Sequence, residues 1–220
     1  MCPILLFDLD GTLTDSKEGI LNCIRYALGK MGRPVPAEPV LLKFIGPPLQ
    51  DSFERYCSMT SEEALQAVTL FRERYAPIGK FENAPAPGMP ELCRQLHEMG
   101  CSMAVASSKP EEMCIPICQK FGYYDSFPVI VGSPPEADWE KAEIIREALR
   151  RLKVSDADLG RVLMVGDRKY DVEGAAKCGV RCIGVEFFGY AAPGELKQAG
   201  AAAVVQTAEQ LKDCIFSLCR

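Results

Sequence analysis

The chain has 220 residues, of which 48% are hydrophobic and 25% are charged, and its formal net charge is −5. This composition is typical of a soluble globular protein with one large or two small domains. The acidic balance and the lack of any Lys/Arg cluster argue against a nucleic-acid-binding protein, because a polyanion is bound by a basic surface. No apolar run is long enough to span a bilayer, and no charged leader precedes Ile4. We therefore expect no membrane anchor and no signal peptide, and a cytoplasmic protein.

The first predicted strand carries the most informative residues of the chain. Ile4–Phe7 are four consecutive apolar residues, a pattern typical of a strand covered on both faces. Asp8 and Asp10 follow, and both point to the same side because strand side chains alternate. Gly11 then permits a sharp turn. Ligands bind at the carboxyl ends of parallel strands, and two close carboxylates favour a bound cation, although the segment alone also fits a plain polar loop.

The next part of the sequence, residues 16–82, contains helical patterns and no clear strand. Apolar residues recur at helical spacing from Ile20 and stop before Gly32. Residues 60–63 form a capping box that predicts the start of another helix at Thr60. A Pro/Gly-rich stretch at 83–88 ends this part. We predict a small helical domain of residues 16–82, inserted into a domain formed by residues 1–15 and 83–220.

Strands and helices alternate in the rest of the chain. Repeated βα units with short loops predict an α/β protein with a doubly wound parallel sheet. Its first helix, between Pro90 and Gly100, is expected to bury Leu92, Cys93, Leu96 and Met99. The further predicted strands are 102–106, 128–131, 161–165, 181–185 and 203–205, and the further helices are 111–121, 140–152, 172–178, one near Glu195 and one from Ala208.

The eleven cysteines lack the spacing of a disulfide framework. Free cysteine packs as a small hydrophobe, so we predict that they belong to the core. Two C-x-x-x-C pairs, 114/118 and 178/182, lack the second half of a zinc site, because the only histidine is His97, which we expect to be solvated. The cysteines are Cys2, Cys23, Cys57, Cys93, Cys101, Cys114, Cys118, Cys178, Cys182, Cys214 and Cys219.

Polar residues follow three further strands, so they share the sheet edge of Asp8. Ser107 and Ser108 come directly before a helix, where hydroxyls and backbone amides can hold a phosphate. Lys141 follows the next strand, and Asp167 follows the strand after that. Singly these residues fit a helix cap, a surface lysine and a loop carboxylate. Together they predict one site.

These segments, in this order, resemble the four motifs of the haloacid dehalogenase superfamily of phosphohydrolases over nearly the whole chain. The residues that match are Asp8, Asp10, Gly11 and Thr12 for the first motif, Ser107 for the second, Lys141 for the third, and Gly166, Asp167 and Asp171 for the fourth. The helical insertion is similar to the small cap domain of that family. Phe44, Gly46, Pro47 and Pro48 lie in a segment that resembles the cap's substrate-specificity loop in phosphoglycolate-phosphatase-like members.

The resemblance implies phosphoryl transfer through an aspartyl phosphate. Asp8 would attack phosphorus, and Asp10 would protonate the leaving oxygen and then deprotonate water. Mg²⁺ would take oxygen ligands from Asp8, the backbone carbonyl of Asp10, and Asp167. The phosphoryl oxygens would be held by Ser107, Ser108 and Lys141. Thr12, Gly166 and Asp171 would support the ligands from behind or through water.

Asp10 favours phosphate esters as substrates, because the dehalogenating members of this superfamily lack an acid at that position. The expected partner is a small phosphorylated metabolite, and the expected state is a monomer or homodimer. Lys141 is followed by Ala142, whereas phosphoglycolate phosphatases and sugar phosphomutases usually have Lys-Pro, and this departure is similar to members assigned as 5'-nucleotidases. A phosphoglycolate-phosphatase-like enzyme, a 5'-nucleotidase, a β-phosphoglucomutase-like phosphomutase and a non-catalytic binding module of the same fold therefore all remain open.

Overall fold

In the structure, a computed structural model, the chain divides into two compact units. The residues described are 2–134 and 139–218. One unit comprises Met1–Thr14 and Pro85–Arg220, and the other comprises Asp15–Ala84. The strands of the described residues are β1 (Ile4–Phe7), β2 (Thr14–Asp15), β3 (Ala84–Pro85), β4 (Ser102–Pro110), β5 (Val129–Ser133), β6 (Val162–Gly166), β7 (Arg181–Val185) and β8 (Ala203–Val205).

The first unit contains a six-stranded sheet with the strand order β5-β4-β1-β6-β7-β8. Every neighbouring pair is parallel. Strand β1 lies between β4 and β6, so the carboxyl ends of these three strands meet at one edge. Strands β2 and β3 pair in a separate ribbon, where the chain passes from one unit to the other and back.

Helices cover both faces of the sheet. Because side chains alternate along a strand, Leu5 and Phe7 of β1 enter one core, and Ile4 and Leu6 enter a second core on the opposite face. The helices of this unit are α5 (Met89–Glu98), α6 (Glu111–Lys120), α7 (Lys141–Arg151), α8 (Lys169–Lys177), α9 (Glu195–Gln198) and α10 (Ala208–Leu218). The first core includes side chains of α5, α6 and α10, and the second includes side chains of α7, α8 and α9. The predicted doubly wound parallel sheet is therefore confirmed.

The second unit is helical and buries apolar side chains, among them Ile24, Leu28 and Phe53. Its helices are α1 (Lys17–Lys30), α2 (Glu38–Leu41), α3 (Leu49–Cys57) and α4 (Ser61–Tyr75). Phe44 and Phe53 meet edge to face, with ring centroids 5.2 Å apart. The capping box predicted at Thr60 is present: Thr60 Oγ1 accepts a hydrogen bond from the Glu63 amide at 3.3 Å, and the Glu63 carboxylate accepts one from the Thr60 amide at 3.0 Å.

Two predictions about buried residues were wrong in part. Met99 is 50% exposed, because α5 ends at Glu98 and Met99 lies at its C-cap, outside the apolar stripe. Cys2 is exposed rather than part of the core, because it precedes β1. Cys219 lies outside the described residues. The other cysteines are buried or half-buried and free, as predicted: Cys23, Cys93, Cys101, Cys114, Cys118 and Cys182 are buried, and Cys57, Cys178 and Cys214 are half-buried.

Over residues 2–134 and 139–218, no helix has both the length and the apolar character that crossing a membrane requires.

Candidate active site

Asp8 lies at the carboxyl end of the central strand. Its amide donates a hydrogen bond to the carbonyl of Val165 at 2.9 Å, which continues the parallel pairing of β1 and β6 by one residue. This bond fixes the backbone that carries the carboxylate. The side chain is buried, and its Oδ1 lies 2.6 Å from Nζ of Lys141.

Asp167 and Asp171 bring two further buried carboxylates to the same place. Asp167 follows β6, and its Oδ1 accepts a hydrogen bond from Thr12 Oγ1 at 3.4 Å. Asp171 lies in the first turn of α8, where its Oδ2 accepts a hydrogen bond from the Arg168 amide at 3.0 Å. One carboxylate oxygen from each of Asp8, Asp167 and Asp171 lies within 4.8 Å of the others. We call these three residues the acidic group.

Lys141 neutralises part of the acidic group. Its Nζ lies 2.6 Å from Asp8 and 2.7 Å from Asp171, and its side chain is 5% exposed. Lys141 is the first residue of α7, and Gly174 of α8 leaves room for it, since a Cβ at Gly174 would lie 2.8 Å from the Lys141 Cβ. The predicted phosphate-binding lysine is therefore a bridge between two carboxylates, and its binding of phosphate stays a prediction.

Burial and neighbouring charges shift the pKa values of Asp8, Asp167 and Lys141. Burial raises the pKa of Asp8 to about 6; the negative charges of Asp171 and Asp10 add to this shift, and Lys141 opposes it. Burial, with the charges of Asp171 and Asp8, raises the pKa of Asp167 well above its ordinary range. Burial also disfavours the charged form of Lys141, but the carboxylates of Asp171 and Asp8 outweigh it and hold the pKa of the ammonium above its ordinary value.

The acidic group fits a hard divalent cation. Asp167 Oδ2 is a buried oxygen that accepts no hydrogen bond from the described residues. An unpaired buried carboxylate oxygen is costly unless a cation or a donor meets it. Carboxylate oxygens are the ligands that Mg²⁺ prefers, and a cation between these carboxylates would offset the repulsion that contributes to the raised pKa values of Asp8 and Asp167.

Two glycines leave room for the carboxylates, one in the turn between β1 and β2 and one at the end of β6. Gly11, with φ of +82°, is so close to Asp167 that a Cβ there would lie 2.2 Å from Oδ2. Gly166 is in the same position relative to Asp171, since its Cβ would lie 2.2 Å from Cγ. The spacing of the acidic group therefore depends on the absence of side chains at both positions.

We expect Gly11→Ala to remove the cation-dependent stabilisation of the protein. Gly100→Ala is the matched control, because Gly100 has the same φ of +82° with no atom within 4 Å of an added Cβ. Each substitution should cost about 1–2 kcal/mol for the left-handed backbone. Only Gly11→Ala should also displace Asp167 and so abolish the increase in melting temperature that Mg²⁺ causes. Thermal unfolding with and without Mg²⁺ measures this increase. Equal Mg²⁺-induced shifts in the two variants would show that Gly11 does not shape the site.

Asp10 is not a member of the acidic group, and its carboxylate is paired with the ammonium group of Lys109. The Lys109 Nζ is 2.9 Å from Asp10 Oδ1 and 2.7 Å from Oδ2, and both side chains are largely buried. The sequence pattern assigned no role to Lys109, although it follows Ser107 and Ser108 directly. Whether the Asp10 carbonyl binds a metal stays a prediction.

The predicted phosphate-binding serines belong to a strand that is longer than expected. Strand β4 runs to Pro110 instead of ending at Ala106, so Ser107 and Ser108 are not in a loop ahead of α6. The prediction of the strand end was wrong, because these polar residues continue alongside β5. Ser107 is buried, and its Oγ accepts a hydrogen bond from the Lys109 amide at 3.4 Å, whereas Ser108 is exposed.

The predicted specificity residues all lie in the helical unit. Phe44 is buried there against Phe53, so its side chain is used in packing. Gly46 and Pro48 are exposed, and Pro47 is half-buried between them. Of this set, therefore, only the segment after Phe44 is available to a ligand.

Known proteins share both this sequence and this fold. Residues 5–185 match the family model of haloacid dehalogenase-like hydrolases. A 5'-nucleotidase of Pseudomonas aeruginosa is 38% identical over 196 residues, which are 89% of this chain and 87% of that protein. A plasmid-encoded phosphoglycolate phosphatase of Cupriavidus necator is 28% identical over 96% of this chain and 91% of its own length.

The crystal structure of a predicted phosphatase from Clostridium acetobutylicum superimposes with a TM-score of 0.90 and 37% identity. The superposition covers 99% of this chain and 100% of that one. The family match and these relatives confirm the predicted enzyme class, a hydrolase of the phosphatase type. The chain belongs to the haloacid dehalogenase-like hydrolase family.

Proposed function

We propose that the protein is a Mg²⁺-dependent phosphatase of small phosphorylated metabolites that works through an aspartyl phosphate. The observation that carries this proposal is the acidic group with Lys141 across two of its members, at the carboxyl end of the central strand. A buried carboxylate beside a fixed ammonium group is suited to attack phosphorus, because the ammonium offsets charge on the nucleophile and on the phosphoryl oxygens.

The proposed reaction has two steps, and Asp10 moves a proton in each. In the first, a carboxylate oxygen of Asp8 bonds to phosphorus, the ester P–O bond breaks, and Asp10 donates its proton to the leaving oxygen. In the second, Asp10 takes a proton from water as that water bonds to phosphorus. The bond to Asp8 then breaks and inorganic phosphate is released. Ser107, Ser108 and Lys141 would orient the phosphoryl oxygens.

Mg²⁺ would be held by Asp8 and Asp167, with the Asp10 carbonyl as a further candidate ligand. Asp171, the third member of the acidic group, would support these ligands from behind or through water. When bound, Mg²⁺ would supply positive charge that offsets the repulsion between these carboxylates and the incoming phosphate. Thr12 would keep Asp167 in place through its hydrogen bond of 3.4 Å.

We expect Mg²⁺ to stabilise the fold more at about pH 8 than at about pH 5. The folded-state pKa of Asp8 is about 6, above its ordinary value of 3.8. Between these two pH values the metal-free fold keeps a proton on Asp8 that the unfolded chain has already released. The contribution of Asp8 to stability is therefore present below pH 3.8 and lost as pH rises through 6. Mg²⁺ must displace this proton at pH 5 but not at pH 8.

Thermal unfolding with Mg²⁺ or EDTA at the two pH values measures this difference. Free Mg²⁺ at 100 times its dissociation constant should add about 2.7 kcal/mol of stability. Asp167→Asn should lose most of the shift at pH 8, and Asp125→Asn, on the surface, should keep it. A Mg²⁺-induced shift that is equal at both pH values would contradict the proposed site.

Two substrate classes are candidates. Phosphoglycolate and similar small acids are favoured by the phosphoglycolate phosphatase that aligns with 96% of this chain. Nucleoside 5'-monophosphates are favoured by the 5'-nucleotidase, which is 38% identical. We expect release of inorganic phosphate from one class to exceed release from the other in kcat/KM, in a panel that also contains sugar phosphates and pyrophosphate, with Mg²⁺ and with EDTA. Failure to hydrolyse any member with Mg²⁺ would exclude the proposed function.

We further propose that the helical unit acts as a cap that selects the leaving group. Its similarity to the cap domain of the family supports this role. Gly46, Pro47 and Pro48 are then the candidate specificity segment, with Phe44 as the packed residue that anchors it.

A further inference from the structure

Lys109 and Asp10 form a second ion pair beside the acidic group. Nζ of Lys109 reaches both carboxylate oxygens of Asp10, at 2.9 and 2.7 Å, and the side chains are 8% and 16% exposed. The carboxylate of Asp10 is not in the acidic group, whose members are Asp8, Asp167 and Asp171. The two lysines thus contact different carboxylates. Lys141 pairs with Asp8 and Asp171 of the acidic group, and Lys109 pairs with Asp10.

The backbone is shaped to deliver Lys109 to this place. In the pairing of β4 with β5, Ser107 is opposite Gly132 and Pro110 is opposite the next residue, Ser133. Strand β4 therefore has two extra residues, Ser108 and Lys109, in a bulge, and bulges redirect side chains near active sites.

Gly132 makes the bulge possible. A Cβ at this position would lie 2.4 Å from the Lys109 carbonyl oxygen and 2.2 Å from the Glu111 amide nitrogen, so any other residue would push the bulge away. The Cys114 thiol donates to the same carbonyl at 3.6 Å. The bulge that carries Lys109 therefore requires a glycine on β5, and the Cys114 thiol contacts its backbone.

We propose that Lys109 is a positioning residue for Asp10. It holds the Asp10 carboxylate away from the acidic group and aims it at the oxygen that leaves phosphorus. This inference rests on the proposed function, in which Asp10 donates a proton as the ester bond breaks. Without Lys109, the Asp10 side chain would lose its alignment with the leaving oxygen.

The leaving group distinguishes a positioning role from a structural one. A nitrophenolate leaves phosphorus without a proton, whereas an alkoxide needs one, so loss of Asp10 alignment slows an alkyl ester more than an aryl ester. The value of kcat/KM reports the steps up to cleavage of the ester bond and excludes hydrolysis of the aspartyl phosphate, which both esters share. A variant that merely loosened the fold would slow both esters equally.

The experiment compares p-nitrophenyl phosphate with β-glycerol phosphate at saturating Mg²⁺. Lys109→Met should lower kcat/KM for the alkyl ester by about 100-fold and for the aryl ester by less than about tenfold. Asp10→Asn is the reference variant, and we expect the same difference between the two esters in it. Lys109→Arg should recover most of the loss, because a guanidinium group can donate to both carboxylate oxygens. Lys197→Met, which removes an exposed lysine of the same unit, should leave both values unchanged.

A second variant covers the case in which Lys109→Met does not fold. Gly132→Ala keeps both members of the ion pair but displaces the bulge, and it should show the same difference between the two esters. An equal fall for both esters in the folded variants, or no recovery in Lys109→Arg, would overturn the positioning role while leaving the proposed function intact. A wild type that hydrolyses neither ester would overturn both.

Discussion

Asp8→Asn should lose hydrolysis of every phosphate ester that the wild type cleaves, with kcat lower by on the order of 10⁴-fold or more, as for loss of a covalent nucleophile. The substitution keeps the size of the side chain but replaces a nucleophilic carboxylate by an amide. The measurement is release of inorganic phosphate at saturating Mg²⁺. Asp125→Asn, the same change at an exposed position, should keep wild-type activity.

The variant should lose activity without losing its fold. Ionised Asp8 is buried near Asp171 and Asp10, which is why the pKa of its carboxyl is raised to about 6. At about pH 8 the uncharged amide relieves that cost, and Lys141 still has Asp171 at 2.7 Å. We therefore expect the metal-free variant to melt at a temperature at least as high as the wild type.

A chemical test identifies the nucleophile directly. Wild-type protein quenched during turnover and reduced with borohydride should carry homoserine at position 8, because an acyl phosphate is reduced and a carboxylate is not. Mass spectrometry of the peptide that contains β1 reads this change. Wild-type activity in Asp8→Asn, or a reduced residue elsewhere, would contradict the assignment.

Strands inside the sheet could be predicted closely, because burial on both faces favours apolar residues. The predicted strands Ile4–Phe7 and Arg181–Val185 have the bounds observed for β1 and β7, and of these residues only Arg181 is exposed. The end of β4 could not be predicted, since residues 107–110 carry no apolar signal and are held by pairing with β5. Helix α8 begins at Lys169, three residues before the predicted Val172, because its first turn is polar and carries no apolar signal.

The site could be predicted as far as the order of polar strand ends allows. Asp8, Lys141 and Asp167 were expected at one edge, and parallel pairing brings them there. The place of Asp171 depends on where α8 begins, and one of its carboxylate oxygens lies within 4.8 Å of oxygens of Asp8 and Asp167. Its predicted role, supporting the ligands from behind or through water, stays a prediction.

Lys109 could not be assigned from its own segment. A lysine in a polar stretch usually faces solvent, and only the bulge in β4 turns this one towards Asp10. That bulge requires a glycine on the neighbouring strand, at Gly132, so the information lies in a residue outside the motif.

Lys141→Met should have the largest combined effect on stability and activity. It removes the ammonium group that bridges Asp8 and Asp171, and breaking a buried pair of this kind costs about 3–5 kcal/mol of unfolding free energy. Loss of a charged group that stabilises the transferring phosphoryl group should lower kcat by about 10³-fold. Urea unfolding and phosphate release measure the two effects. Lys177→Met is the matched control, since its pair with Glu140 is exposed and is worth at most about 1 kcal/mol.

The stability of Lys141→Met should depend on charge in a way that lost packing would not. Without the ammonium group, the carboxylates of the acidic group repel one another once ionised, and the pKa of Asp8 rises further, because Lys141 lowers it in the wild type. The deficit should therefore be greatest where Asp8 is ionised in the variant, and it should shrink as pH falls below that raised pKa. Mg²⁺ should recover part of the deficit at about pH 8, because a cation between the carboxylates replaces the missing charge. A variant that is equally unstable at about pH 5 and pH 8, and indifferent to Mg²⁺, would mean that the methylene stem of Lys141 matters to the fold and its charge does not.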